Sequence, residues 1–259
     1  MVTLPKGIQY EIPQGYKLVG KLLFPERIDA LQTVVRINPS EYALMQEGDS
    51  ANSTISMTQG FNGKNYLNTH KEVLKDGLIV PTPARFMPHL KNVNEALNER
   101  TALYDASGKL IEGDRLSQYG QRLNRNCWVR LNAGFENGSG FRNLDLITVT
   151  GLDKEGNITS SRTPLEDCLA QDGWADITSE SLNKQGLPTK ISPIGDKYEP
   201  GKTAYFWYPR NGAVAWFNAN SGRAFLDCFR NPSVSYVGLG VFASAEGANV
   251  AKKDNGAIA

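Results

Sequence analysis

The chain has 259 residues, 28 basic against 27 acidic side chains for a formal charge of +1, and a 40% hydrophobic share. It is long enough for one full core, or a core with a smaller attachment, without disulfide or metal staples, and too near neutral to gather nucleic acid or anionic lipid through a basic field. No apolar run approaches the roughly 20 residues that cross a bilayer, and the start "MVTLPKGIQYEIPQGYK" lacks the apolar stretch of a secretory leader. The sequence therefore predicts no membrane insertion and no nucleic-acid partner, with the cytoplasm as the default location. Cys127, Cys168 and Cys228 form no CxxC pair and read as buried thiols, not as a disulfide or zinc framework.

In chain order, "PERIDALQTVVRI" (25–37) spaces Ile28, Leu31, Val34 and Val35 as a short helix. "KNYLNTHKEVLKDG" repeats the pattern through Leu67, Val73 and Leu74 and stops at Gly77. "PTPARFMPHLKNVNEALNER" carries a stripe of Phe86, Leu90, Val93 and Leu97, and "GDRLSQYGQRLNRN" another of Leu116, Tyr119 and Leu123. After residue 126 the period changes: "CWVRLNAGF" and "NLDLITVT" read as strands, with "LDKEGNI" as a turn. "TPLEDCLAQDG" reads as a compact helix capped by Thr163, with Pro164 in its first turn and Glu166 completing a capping box. A long Pro/Gly-rich connection follows, then four expected strands, "TAYFWY", "AVAWF", "RAFLDCF" and "VGLGVFA", and a tail over 246–259 that reads as disordered. Helices first and then a crowded antiparallel sheet predict an α+β fold. Residues 1–80 read as an N-terminal helical segment docked on a main domain of residues 81–245.

Motifs for catalysis are missing: there is no P-loop, GxSxG elbow, HExxH or GxGxxG. His70 and His89, the two histidines, read as surface or cap residues of helices. Glu166 and Asp167 sit where helix N-termini attract carboxylates. "DASGKLIEGD" lacks the alternating ligands of a calcium loop. The expectation is a non-enzyme without metal or cofactor.

The stretch 213–244 is more informative. Alternation in "RAFLDCF" puts Ala224, Leu226 and Cys228 on one face and Arg223, Phe225, Asp227 and Phe229 on the other. "AVAWFN" likewise turns Ala213, Ala215 and Phe217 inward and Val214, Trp216 and Asn218 outward. Beyond them, Arg230, Asn231, Ser233, Ser235 and Tyr236 are residue types that binding loops favour. An outer face mixing rings with both charge signs suits recognition; the competing reading is a second face covered by the N-terminal helices.

The run "FWYPRNGAVAWFNANSGRAFLDCFRNPSVSYVGLGVFAS" resembles the variable region of diversity-generating retroelement variable proteins, and the archaeal members most. "PTPARFMPHLKNVNEAL", "CWVRL" and "PLEDCLAQDGWAD" are similar to the same group. The resemblance implies a C-type-lectin-like α+β fold, a scaffold also used by formylglycine-generating enzymes, with a variable region over about 214–242. It also implies that an error-prone copy of a template repeat, mutated at adenines, replaces that region. An AAC codon mutated in this way can encode Asn, Ser, Tyr, Phe, Asp, Arg, Val, Gly and others but never Lys, Glu, Gln, Met, Trp or stop. From Phe217 to Ser244 the chain has no Lys, Glu, Gln or Met, and Asn218, Asn220 and Asn231 resemble unmutated codons. Trp216 departs from the AAC palette and is either fixed or derived from another adenine-containing codon such as AGG. The implied ligand-binding set is Trp216, Asn218, Asn220, Arg223, Phe225 and Asp227 in the strands, with Phe229, Arg230, Asn231, Ser233, Ser235, Tyr236 and Val237 after them, facing a variable ligand taken to be protein. The alternatives are a fixed-specificity lectin-like binder and a relative of the formylglycine-generating oxidases.

Overall fold

A computed structural model describes residues 16–19, 22–25, 38–45 and 53–246 of the chain. The helix predicted over 25–37 lies, apart from Pro25, outside these residues, and so does the predicted tail beyond Glu246. Strands β1 (Tyr16–Val19) and β2 (Leu22–Pro25) form an antiparallel pair. Next come β3 (Tyr42–Leu44) and β4 (Ser53–Ser56), also antiparallel.

Three helices follow. In α1 (Tyr66–Lys75) the Asn65 side chain accepts from the Asn68 N–H and so caps one of the orphan amides of the first turn. The helix gives way to Gly77 in the left-handed region, φ 70°. Its buried face is Tyr66, Thr69, His70 and Val73, while Leu67, counted on the apolar stripe, faces solvent. Helix α2 (Pro83–Leu97) opens with proline in its first turn and buries Phe86, Leu90 and Val93. Helix α3 (Gly113–Arg125) buries Tyr119 and Leu123. These two helices are joined by a 2.7 Å hydrogen bond between His89 Nε2 and Tyr119 Oη, and by Asn94 and Asn124, whose amides bond to each other at 2.8 and 3.3 Å.

The remaining chain builds one seven-stranded sheet from β5 (Asn126–Asn137), β6 (Leu144–Leu152), β7 (Ile158–Pro164), β8 (Gly173–Asp176), β9 (Thr203–Trp207), β10 (Ala213–Asn220) and β11 (Arg223–Arg230). The order is β7-β6-β5-β10-β11-β9-β8, antiparallel throughout except that β11 runs parallel to β9. The hairpin β10–β11 is thus inserted between a meander made earlier in the chain and the β8–β9 hairpin. Strand β12 (Ser244–Glu246) pairs with β4 and closes the small sheet β12-β4-β3. Among the described residues the fold is α+β, with a large mixed sheet and three α-helices.

The main core lies between α2, α3 and the inner face of the sheet. Phe86, Leu90 and Leu123 meet Val129 and Leu131 of β5, Ala215, Phe217 and Ala219 of β10, and Ala224, Leu226 and Cys228 of β11. Phe86 and Phe217 rings are 5.2 Å apart. Small residues on the central hairpin let the helices approach, and each fully buried Leu or Phe contributes about 1.5–3 kcal/mol. A second cluster joins Val73, Leu78 and Val80 to Val241, Ala243 and Ala245. Residues 53–80 therefore share a core with the end of the described chain.

Three expectations are corrected. "TPLEDCLAQDG" is not a helix: β7 runs through Thr163 and Pro164, paired with Leu146 and Asp145, and irregular chain follows. Pro164 is tolerated because β7 is a sheet edge, where no ladder donor is needed on the open side. The Glu166 carboxylate accepts from the Lys184 N–H instead of capping a helix. "VGLGVFA" is not a regular strand either. It threads between layers through single bridges, Gly240 to Val129 and Val241 to Gly60. The two histidines are not surface residues: His70 and His89 are both 1% exposed, and burial pushes each imidazole down to about 3.

Candidate functional site

Strand pairing sets the outer face of the sheet as a grid. Alternation in β5 sends Cys127, Val129 and Leu131 into the main core, which leaves Trp128 and Arg130 on the other side. Trp128 pairs with Asn218, Asn218 with Phe225, Phe225 with Tyr205 and Tyr205 with Trp174, a row that crosses five strands. At about 4.8 Å per strand this row spans roughly 19 Å. The next row is Arg130, Trp216, Asp227 and Trp207. A bulge between Val214 and Trp216 shifts the register of β10 against both neighbours.

The sequence divides the hairpin correctly into faces, but the outer face is not uniformly open. Trp216 is 1% exposed and packs with Tyr66 of α1, Val149, Val214 and Leu239. Asn218 and Asp227 are buried as well. These three were expected to point at solvent and do not, because α1 and the 231–240 segment lie over that part of the sheet. The covered-face reading holds there, and the open-face reading holds at the far end of the hairpin.

The covered part is a polar and aromatic knot. Guanidinium groups approach the Trp216 ring from the strands on either side, Arg130 and Arg230 each 5.2 Å from its centroid. Arg130 is fully buried, donates through Nη2 to the carbonyls of Lys64 and Val234, and has no carboxylate partner among the described residues. Burial lowers its pKa to about 10, so the cation persists at neutral pH and the Trp216 face helps to compensate it. Tyr66 beside it is held neutral, its phenol pushed up by burial. Asp227 Oδ2 accepts from Asn218 Nδ2 and from Arg230 Nε, both at 2.9 Å. Burial raises the Asp227 pKa, against the opposing pull of Arg230 and Asn218.

The open part begins where the knot ends. Asn220 and Arg223 at the hairpin turn are exposed, as are Asn231, Ser233 and Ser235. Tyr236 is 54% and Val237 89% exposed. Phe225, Phe229 and Arg230 are half-buried. Phe229 lies 5.0 Å from Trp207, and the guanidiniums of Arg210 and Arg230 sit 5.1 and 4.9 Å from its ring. Tyr236 meets Trp216 edge-on at 6.1 Å and so ties the exposed loop to the knot.

Sequence reasoning did not assign Trp128, Trp174, Tyr205, Trp207 and Arg130 to this face. Tyr205 and Trp207 stand two apart in β9, and that period is the signal that points both to one side. Trp128 is 43% exposed. Tyr205 lies 6.0 Å from Trp174, 5.1 Å from Trp207 and 6.3 Å from Phe225. This aromatic group lines a hollow of about 420 Å³ with Tyr198, Asp196, Gly222 and Arg223.

The cysteines carry no accessible chemistry. All three are free and buried. Burial pushes the Cys228 thiol well above its ordinary range, and Cys168 up to about 12. A reactive thiolate needs the reverse, a lowered pKa at an accessible place.

No protein-family model matches the chain, and no curated protein or solved structure matches it.

Proposed function

We propose that the chain is a binding protein that shows a changeable surface on a fixed frame, on a C-type-lectin-like scaffold of the kind found in diversity-generating retroelement variable proteins. The observation that carries this reading is the division of labour along β10–β11. Every second side chain, Ala215, Phe217, Ala219, Ala224, Leu226 and Cys228, is locked in the main core. The exposed residues Asn220, Arg223, Asn231, Ser233, Ser235, Tyr236 and Val237 lie at one end of the opposite face or in the loop after it. Surface substitutions at such places change stability by less than ~0.5 kcal/mol, so side chains there can be exchanged while the core keeps the strand register. Trp216, Asn218 and Asp227 form the floor under that surface, and Trp216, which an AAC codon does not reach and which is buried, belongs to the frame.

A non-catalytic role fits the buried, high-pKa Cys228 better than an oxidase of the formylglycine-generating type does. Calcium-dependent sugar binding fits poorly, because Asp227, the single carboxylate of the 217–244 stretch, is held by Arg230 and Asn218. The test is the DNA flanking the gene. A near-duplicate of the segment for residues 214–242, differing at template adenines beside a reverse-transcriptase frame, is the expected result, with differences at codons 220, 223, 225, 231, 233, 235, 236 and 237 and none at 216. Flanking DNA without such a repeat would reduce the protein to a binder of fixed specificity.

A further inference from the structure

We propose that the hollow beside Phe225 is a cation site, shaped to take a guanidinium or ammonium side chain from a partner protein. This rests on the binding-protein reading in one respect: Arg223 and Phe225 count as changeable lining, and the remaining lining as fixed. The fixed wall comes from three separate parts of the chain: Trp174 of β8, Tyr205 and Trp207 of β9, and the irregular segment 195–198 with Asp196 and Tyr198. At about 420 Å³ the hollow is at the small end of ligand pockets, the size for one long side chain.

Its chemistry is one-sided. Trp174 meets Tyr205 at 79° and Trp207 meets it at 50°, so the rings enclose a space instead of closing on one another as a stack. All are half-buried and none is covered by a cation of this chain: among the described residues the guanidiniums that lie over rings are those of Arg130, Arg142, Arg210 and Arg230, and their rings are Trp216, Tyr208 and Phe229. Ring faces carry the negative side of the aromatic quadrupole. Tyr198 stays a neutral phenol, since burial pushes it up to about 12. Asp196 is exposed at the rim, and no hydrogen bond or ion pair of its side chain is present among the described residues. Four rings and one free carboxylate attract a cation and repel an anion. Arg223, opposite on the hairpin turn, is the only opposing charge in the lining. Exchange of this residue would therefore set the strength of a site whose wall stays constant.

The experiment is a tryptophan-fluorescence titration of the full chain with Nα-acetyl-arginine methylamide and with its neutral isostere, Nα-acetyl-citrulline methylamide. The arginine derivative should bind at least roughly fivefold more tightly, as one cation–π contact implies. Asp196→Asn should weaken it roughly threefold or more, Trp174→Ala should abolish it, and Arg223→Ser should tighten it. Asp196 and Arg223 are exposed, so their variants fold and keep the test open even where Trp174→Ala does not. Equal binding of the two derivatives, no binding of either, preferential binding of N-acetylglucosamine, or weakening by Arg223→Ser would each overturn the proposal. The flanking-DNA test reads a different quantity, so the cation site and the diversified-binder reading fail separately.

Discussion

Trp216→Ser removes the largest fully buried side chain among the described residues. The void lies between α1, β5 and the 231–240 segment, where Tyr66 is held by α1, Val149 and Val214 by β6 and β10, and Leu239 by backbone hydrogen bonds to Gly63 and Tyr236, so they cannot collapse into it freely. Truncating a buried aromatic of this kind costs about 3–5 kcal/mol. The same change strips the π face from Arg130, a buried cation without a carboxylate partner, where each cation–π contact is worth ~0.5–2 kcal/mol. The two losses overlap and do not simply add. A cost of about 3–5 kcal/mol corresponds to a fall in Tm of roughly 6–20 °C for a domain of this size. Urea unfolding followed by far-ultraviolet circular dichroism measures it, with exposed Ser235→Asn as the control, expected within ~0.5 kcal/mol of the parent. A loss below ~1 kcal/mol at unchanged m-value would refute the assignment of Trp216 to the proposed frame.

Other consequences follow from the same packing. Leu226→Asp places a carboxylate in the main core and should prevent folding, since an unpaired buried charge costs several kcal/mol, while Phe225→Asp on the half-buried face should leave a folded chain; equal damage in thermal melts would contradict the assignment of faces. Gly240→Ala sets a Cβ 2.4 Å from the Gly60 carbonyl oxygen, against backbone that is bridged at Val241, and should cost about 1–3 kcal/mol in urea unfolding; a neutral result would show that the 59–62 segment yields. His70 and His89 are held neutral down to about pH 3, whereas an unfolded histidine protonates near 6.5. Between those values the unfolded state binds more protons, so stability rises with pH there and is lost as pH falls below about 6.5. Their imidazole resonances should stay unchanged from pH 7 to pH 5 in the folded chain, and a midpoint near 6.5 would contradict their burial.

Local signals carried much of the fold. The Phe86–Leu90–Val93 and Tyr119–Leu123 spacings locate α2 and α3, Gly77 ends α1, and alternation in "RAFLDCF" assigns both faces of β11. Capping signals misled at Thr163 to Glu166 because they are local, whereas β7 is fixed by pairing with residues 144–152. "VGLGVFA" looks like a strand because it is apolar throughout. Its residues are divided among three layers: Leu239 with Trp216, Phe242 in the main core, and Val241 and Ala243 against α1's neighbour Leu78. Alternation also states which face a residue is on without stating whether that face is covered, and so Trp216, Asn218 and Asp227 read as displayed. The aromatic row was hidden for a different reason: Trp128, Trp174, Tyr205 and Phe225 become neighbours only through a strand order in which β11 lies between β10 and β9.

That strand order also governs how the chain is made. A ribosome delivers β5–β7 and β8–β9 first, as two pieces of sheet that share no edge, and the hairpin that joins them comes last. Until β10 emerges β5 keeps an unpaired edge, and until β11 emerges so does β9, the kind of surface that invites association with other chains. A stop within residues 214–230 is therefore expected to leave two half-sheets that share no edge, with their strand edges open to association and proteolysis. The seven-stranded sheet becomes continuous only when the hairpin is complete, because β10 and β11 are the strands that join its two halves.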